Sequence, residues 1–132
     1  MAQTLDKLKV LIVDDESDSR HVLKGALEDI GIKNVVEAPD ARDAYYILDK
    51  GYQKIDMVLC DWNMPQITGI DLLERIRKRG NAIPFFMISG RSDHGSIVTA
   101  KNTGVTGYIR KPFSPNQIEA KLRATLHRIE PA

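Results

Sequence analysis

Four residues or pairs whose side chains could do chemistry each follow a short apolar run. They are Asp14-Asp15 after Val10-Leu11-Ile12-Val13, Asp61 after Met57-Val58-Leu59-Cys60, Ser89 after Phe85-Phe86-Met87-Ile88, and Lys111 after Tyr108-Ile109-Arg110. Three carboxylates brought close together repel one another and stay ionised only if a cation shares their site. Carboxylate oxygens, backbone carbonyls and water suit a hard cation such as Mg²⁺. No set of histidines or thiolates is present to attract zinc. A carboxylate can also act as a nucleophile towards phosphorus. Phosphoryl transfer then needs the phosphoryl oxygens neutralised and held. Lys111 can do that as a point charge, and the Ser89 hydroxyl can donate to a further oxygen. Together these residue types fit a Mg²⁺-dependent site at which one aspartate accepts a phosphoryl group.

That chemistry requires elements that bring the residues to one place. Residues 9–13 form a short β-branched run, which reads as a strand buried on both faces. Ser17 is the expected N-cap of a first helix with Asp18 in its first turn. Val22, Leu23, Ala26, Leu27 and Ile30 fall on its inner face, and Gly31 ends it. A second strand is expected at 34–37. Asp40 then caps a helix with Ala41, Ala44, Tyr45 and Leu48 inward and Gly51 as its stop. Residues 55–60 give a third strand ending at Asp61. A loop with Pro65 and Gly69 leads to a helix carrying Ile70, Leu73, Ile76 and Arg77, closed by Gly80. Residues 83–88 give a fourth strand with Pro84 at its entry.

The helix at 93–103 is weakened by Gly95, Ser96, Thr99, Asn102 and Thr103, and only Ile97, Val98 and Ala100 give it an apolar side. A fifth strand is expected at 106–110. Ser114-Pro115-Asn116-Gln117 combines an N-cap, a proline at the first helical position and a capping-box glutamine. The last helix buries Ile118, Leu122, Thr125 and Ile129. Five β-α pairs predict an α/β fold, a doubly wound five-stranded parallel sheet with helices on both faces. Ligands of such sheets sit outside the carboxyl ends of the strands, where the residues named above collect.

Composition narrows the function classes. The chain has 132 residues, one domain's worth, with 42% hydrophobic and 28% charged residues. Nineteen basic and eighteen acidic residues give a net charge of +1, which argues against a dedicated nucleic-acid binder. One cysteine, Cys60, excludes an internal disulfide and reads as a small buried apolar residue. No apolar run approaches the ~20 residues that span a bilayer, and the N-terminus has no signal-peptide core. A soluble cytoplasmic protein without membrane insertion is expected. His21, His94 and His127 are scattered and read as surface residues.

From about Lys9 to Ile129 the sequence resembles the receiver domains of bacterial two-component response regulators, closest to the stand-alone chemotaxis type. The motifs that carry the resemblance are Val13-Asp14-Asp15, Asp61-Trp62-Asn63-Met64-Pro65, Ser89-Gly90, Tyr108 and Lys111-Pro112-Phe113, in that order. The resemblance implies the flavodoxin-like strand order 2-1-3-4-5 and a cis bond before Pro112. It implies Asp61 as phosphoacceptor. Asp15 and Asp61 would hold Mg²⁺ through carboxylates, Asn63 through its backbone carbonyl, and Asp14 mainly through water. Lys111 would pair with the phosphoryl group. Ser89 would swing to a phosphoryl oxygen and Tyr108 would change rotamer with it, altering the surface of helix 4, strand 5 and helix 5. Asn63 and Arg91 would affect the lifetime of the phosphorylated state.

The implied partners are a histidine kinase or phosphotransfer protein, and a downstream protein target on that surface. Residues 1–132 read as one such domain with a core at about 9–129 and no output domain. The implied enzymatic activity is limited to self-catalysed phosphoryl uptake and loss. Taken singly the residues have plainer readings. Asp14 and Asp15 could cap the first helix, Tyr108 could be a half-buried core aromatic, and Lys101, Arg110, Lys121 and Arg123 could form a solvated face. For Trp62, packing and a partner contact stand equally open. Alternatives from other classes are a small Mg²⁺-dependent phosphohydrolase, a receiver fragment of a larger protein, and a flavodoxin-like electron carrier. The phosphohydrolase lacks a second acid/base aspartate close after Asp61. In the electron carrier, Asp14-Asp15-Glu16 would repel a flavin phosphate.

Overall fold

The computed structural model describes residues 5–51, 53–64, 66–90 and 94–129, the last without the side chains of 94 and 127–129. A short 3-10 turn, Leu5–Lys7, precedes five strands that alternate with five helices. The strands are β1 (Lys9–Val13), β2 (Asn34–Ala38), β3 (Met57–Asp61), β4 (Phe85–Ser89) and β5 (Gly107–Arg110). The helices are α1 (Ser17–Asp29), α2 (Ala41–Lys50), α3 (Gly69–Lys78), α4 (His94–Thr103) and α5 (Pro115–Ile129). All strand pairs are parallel, in the order β2-β1-β3-β4-β5. Among the described residues no helix is long and apolar enough to cross a membrane.

The three central strands alternate strictly between two cores. Val10, Ile12, Met57, Leu59, Phe86 and Ile88 face one layer, where Leu23, Leu27, Ile118 and Leu122 of α1 and α5 meet them. Leu11, Val13, Val58, Cys60, Phe85 and Met87 face the other, with Ala41, Ala44, Leu72, Leu73 and Ile76 of α2 and α3. Successive strand side chains point to opposite faces, so continuous apolar runs fill both layers. The two layers hold the sheet rigidly, and its carboxyl edge inherits that rigidity.

Several boundaries differ from the sequence expectation, for identifiable reasons. The N-cap of α1 is Glu16, not Ser17, and its side chain makes no capping hydrogen bond. The Asp14 carboxylate accepts the Glu16 N–H instead, at 3.0 Å. Val22, expected on the buried face, is 61% exposed. One residue turns a helix by about 100°, and the face set by Leu23, Ala26 and Leu27 excludes it. Strands β3 and β4 each begin two residues later than expected. Ile55 and Ile83 pack against the core but precede the ladder, and Pro84 contributes only its carbonyl, to Val58 N–H.

Gly69 is the first residue of α3 rather than part of the loop. Thr68 and Asp71 form a capping box there that the sequence reading missed. The expected box at Ser114 and Gln117 is present, as are the Asp40 cap and the left-handed Gly51. In α5, Leu126 joins the buried face. Pro65, Arg91 and the side chains of His94, His127 and Ile129 lie outside the described residues.

Two glycines should respond oppositely to alanine. A Cβ on Gly69 would lie 2.6 Å from the Asp61 main-chain oxygen and 2.8 Å from Met87 Sδ. Gly69→Ala should therefore cost about 1–3 kcal/mol through overpacking. Gly25, inside α1, meets nothing within 4 Å, and Gly25→Ala should stabilise by about 1 kcal/mol. Urea unfolding of both variants checks the contrast.

Candidate functional site

The carboxyl edge of the sheet gathers the residues singled out by type. Asp14 directly follows β1, and Asp61 and Ser89 are the last residues of β3 and β4. Lys111 directly follows β5, its N–H donating to Ser89 O at 2.9 Å. One oxygen from each of Asp14, Asp15 and Asp61 lies within 4.8 Å of the other two. Asp14 and Asp61 are buried, while Asp15 is exposed. Lys111 Nζ donates to Asp61 Oδ1 at 3.1 Å. The bond from Lys111 to Pro112 is cis.

Asp14 is held at several points. Its N–H donates to Ala38 O of β2 at 3.2 Å. Its carboxylate takes the Glu16 amide, and its main-chain carbonyl accepts Arg20 Nη1 at 2.7 Å. The Asp61 backbone is fixed by its pairing with Ile88 and by the close approach of Gly69. Cys60 Sγ donates to the Asp61 main-chain oxygen at 3.3 Å. Burial, then the charges of Asp61 and Asp14, push the Cys60 thiol well above its ordinary range. It stays a protonated packing group.

Burial also raises the Asp61 carboxyl above the usual carboxylate value. The hydrogen bond and charge of Lys111 oppose that shift, and the charges of Asp14 and Asp15 reinforce it. Among the described residues, three carboxylates outnumber the Lys111 ammonium that bonds to one of them and the Arg20 guanidinium beside them, which leaves a local negative excess. The donor set is all oxygen, which suits a hard cation such as Mg²⁺. The exposed Asn63, two residues beyond Asp61, stands in the adjoining loop. A cleft of about 330 Å³ opens beside the cluster, walled by Val22 and Leu23 of α1 and by Pro112 and Phe113.

The other residues occupy a second zone. Ser89 is fully buried. Tyr108 on β5 is half-buried and meets Trp62 edge-on, ring centroids 6.2 Å apart at 60°. Trp62 also packs on the α2–α3 core, so packing accounts for much of its placement. Lys101, Arg110, Lys121, Arg123 and His21 are exposed, and Gly90 is too. Sequence reasoning overlooked Arg20 and read Gly69 only as a loop residue. Gly69 left a faint signal as a glycine opening a helix. Arg20 was detectable only as a base in a helix's first turn, where acids are favoured.

The sequence profile of the response regulator receiver domain matches residues 10–123. The chain is 37% identical over 124 residues to the chemotaxis protein CheY of Pseudomonas aeruginosa, covering 92% of this chain and 98% of that one. It is 40% identical over 124 residues to the chemotaxis protein CheY-3 of Vibrio cholerae, covering 92% and 94%. A crystal structure of a response regulator receiver domain protein from Clostridium thermocellum superposes with a TM-score of 0.82 at 27% identity, covering 92% and 95%.

The raised Asp61 carboxyl has a consequence for stability. An acid whose folded value exceeds its unfolded one destabilises the fold when ionised. The penalty is complete above the raised value and vanishes as pH falls below the unfolded value of 3.8. In metal-free solution, Asp61→Asn should thus melt higher than the parent at pH 7, by about 4 °C per kcal/mol relieved. The gain should be gone near pH 3, as melts across pH would reveal.

Proposed function

The chain belongs to the response regulator receiver domain family, and on that premise we propose that it is a phosphorylation switch with Asp61 as the acceptor. The observation that carries this reading is the meeting of Asp14, Asp15 and Asp61 with the Lys111 ammonium at one sheet edge. An Asp61 carboxylate oxygen attacks phosphorus of a phosphohistidine on a histidine kinase or phosphotransfer protein. The P–N bond breaks, and its electron pair leaves with the imidazole. Asp15 and Asp61 carboxylates and the Asn63 carbonyl would hold Mg²⁺, with Asp14 acting through water. When bound, Mg²⁺ neutralises phosphoryl charge and makes the crowded carboxylates compatible.

Lys111 is poised to exchange partners. It now pairs with Asp61 Oδ1, and once Asp61 has become an acyl phosphate its carboxyl group no longer carries the charge that holds Lys111 there. Its ammonium then turns to a phosphoryl oxygen, while Ser89 donates to another. Tyr108 responds through the space that Ser89 vacates and through its contact with Trp62. The faces of α4, β5 and α5 change with it and meet a downstream protein partner. Such coupling is a shift between two populations. The named relatives act in chemotaxis, which favours a diffusible cytoplasmic regulator or a phosphorelay intermediate, acting as a single receiver unit.

With acetyl phosphate and Mg²⁺, intact mass should show one labile phosphoryl adduct. Chelating the metal should prevent it, and Asp61→Ala should abolish it without unfolding the domain. Stoichiometric labelling of that variant would refute the assignment. Lys111→Ala should separate uptake from response: an adduct forms, but the Tyr108 spectral change that accompanies it in the parent is lost. A normal change would reject the proposed part for Lys111.

A further inference from the structure

We propose that Arg20 is a positioning residue for the acidic cluster, fixing the peptide between Asp14 and Asp15 so that both carboxylates face one cation. The inference rests on reading the cluster as a Mg²⁺ site. Arg20 lies in the first turn of α1, where the helix dipole disfavours a cation. Two acceptors offset that placement. Nη1 donates to Asp14 O at 2.7 Å, and Nε donates to Glu37 Oε1 on β2 at 3.1 Å. The Arg20 side chain is only 18% exposed. Lys24, which reaches the same Glu37 carboxylate at 4.0 Å, is 43% exposed. Arg20 is thus the more buried and more closely bonded member of the group, its guanidinium fork holding two acceptors at once.

The peptide unit is planar. Holding its Asp14 oxygen sets the direction of the N–H and Cα of Asp15 at the other end. That matters because Asp15 is exposed and has no core packing to orient it. Asp14 N–H is already tied to Ala38 O, and Asp14 Oδ1 to the Glu16 amide. Arg20 adds a hold on the Asp14 carbonyl and anchors this corner to β2 through Glu37. Outer partners of metal ligands commonly govern affinity by 10–100-fold.

Charge alone would act with the opposite sign. A guanidinium beside three carboxylates repels an incoming cation, so removing it should tighten Mg²⁺ binding. Removing a positioning residue should weaken it. The two effects are separated by titrating metal-free protein with MgCl₂ at constant ionic strength, following the fluorescence of Trp62. Wild type, Arg20→Ala and Arg20→Lys are compared, with Asp15→Ala as control and thermal melts alongside.

Arg20→Ala should bind Mg²⁺ about 10-fold more weakly. Arg20→Lys, which keeps the charge on a single donor nitrogen but lacks the fork, should recover part of that loss. Unchanged or tighter binding by Arg20→Ala would overturn the proposal, as would a lower melting temperature with unchanged affinity. Should Arg20→Ala not fold, wild-type affinity in Arg20→Lys would overturn it equally. A wild type that binds no Mg²⁺, or an Asp15→Ala variant that binds it undiminished, would instead defeat the reading of the cluster as a Mg²⁺ site.

Discussion

Three carboxylates confined at one sheet edge set the terms for the rest of the molecule. At an effective dielectric near 20, two ionised carboxylates whose oxygens lie within 4.8 Å repel by about 3.5 kcal/mol or more. Only a stiff scaffold sustains such an arrangement. The two packed layers supply the stiffness, because the strands that lead to Asp14 and Asp61 are buried on both faces. Lys111 relieves part of the repulsion from the end of β5. What remains is a net negative site that favours a divalent cation and, with it, an anionic phosphoryl group.

The same crowding links the acidic cluster to residues further along the sheet edge. Lys111 is linked to Asp61 through its side chain and to Ser89 through its backbone N–H. Asp61 is followed by Trp62, which contacts Tyr108 on β5. Removing the charge on Asp61 changes the balance that holds Lys111 in place. Ser89, Trp62 and Tyr108 are therefore neighbours of the acidic cluster along the edge of β3, β4 and β5. The opposite flank, from β1 through Arg20 to Glu37, is held by hydrogen bonds and an ion pair. One flank anchors the Asp14 carbonyl to β2 through Arg20, while the other ties Asp61 to Lys111 and Lys111 to Ser89.

Gly69 shows how closely fold and site are joined. Helix α3 begins against the Asp61 carbonyl, at a distance that no side chain tolerates. Its capping box sets the helix start, and the Gly69 N–H donates to Trp62 O. The loop that carries Asn63 is thereby closed at both ends. A residue with no side chain chemistry of its own thus helps determine where the loop carbonyls stand.

Much of this was legible in the sequence. Five apolar runs alternating with helical periodicity determined the α/β class, because strand and helix bury their side chains with different periods. The position of Asp14, Asp61, Ser89 and Lys111 at strand ends followed from where each run stops. The strand order came through the family resemblance, since nothing in local periodicity says which strand lies beside which. Only the tertiary structure decided what depends on angle and distance between elements. It turned Val22 outward, started β3 and β4 late, and moved the first helix cap to Glu16. It brought Arg20 onto a carbonyl six residues earlier and a carboxylate seventeen residues later. Residue type and spacing carry burial and chemistry, whereas a hydrogen bond between α1 and β2 exists only once both have packed on the same sheet.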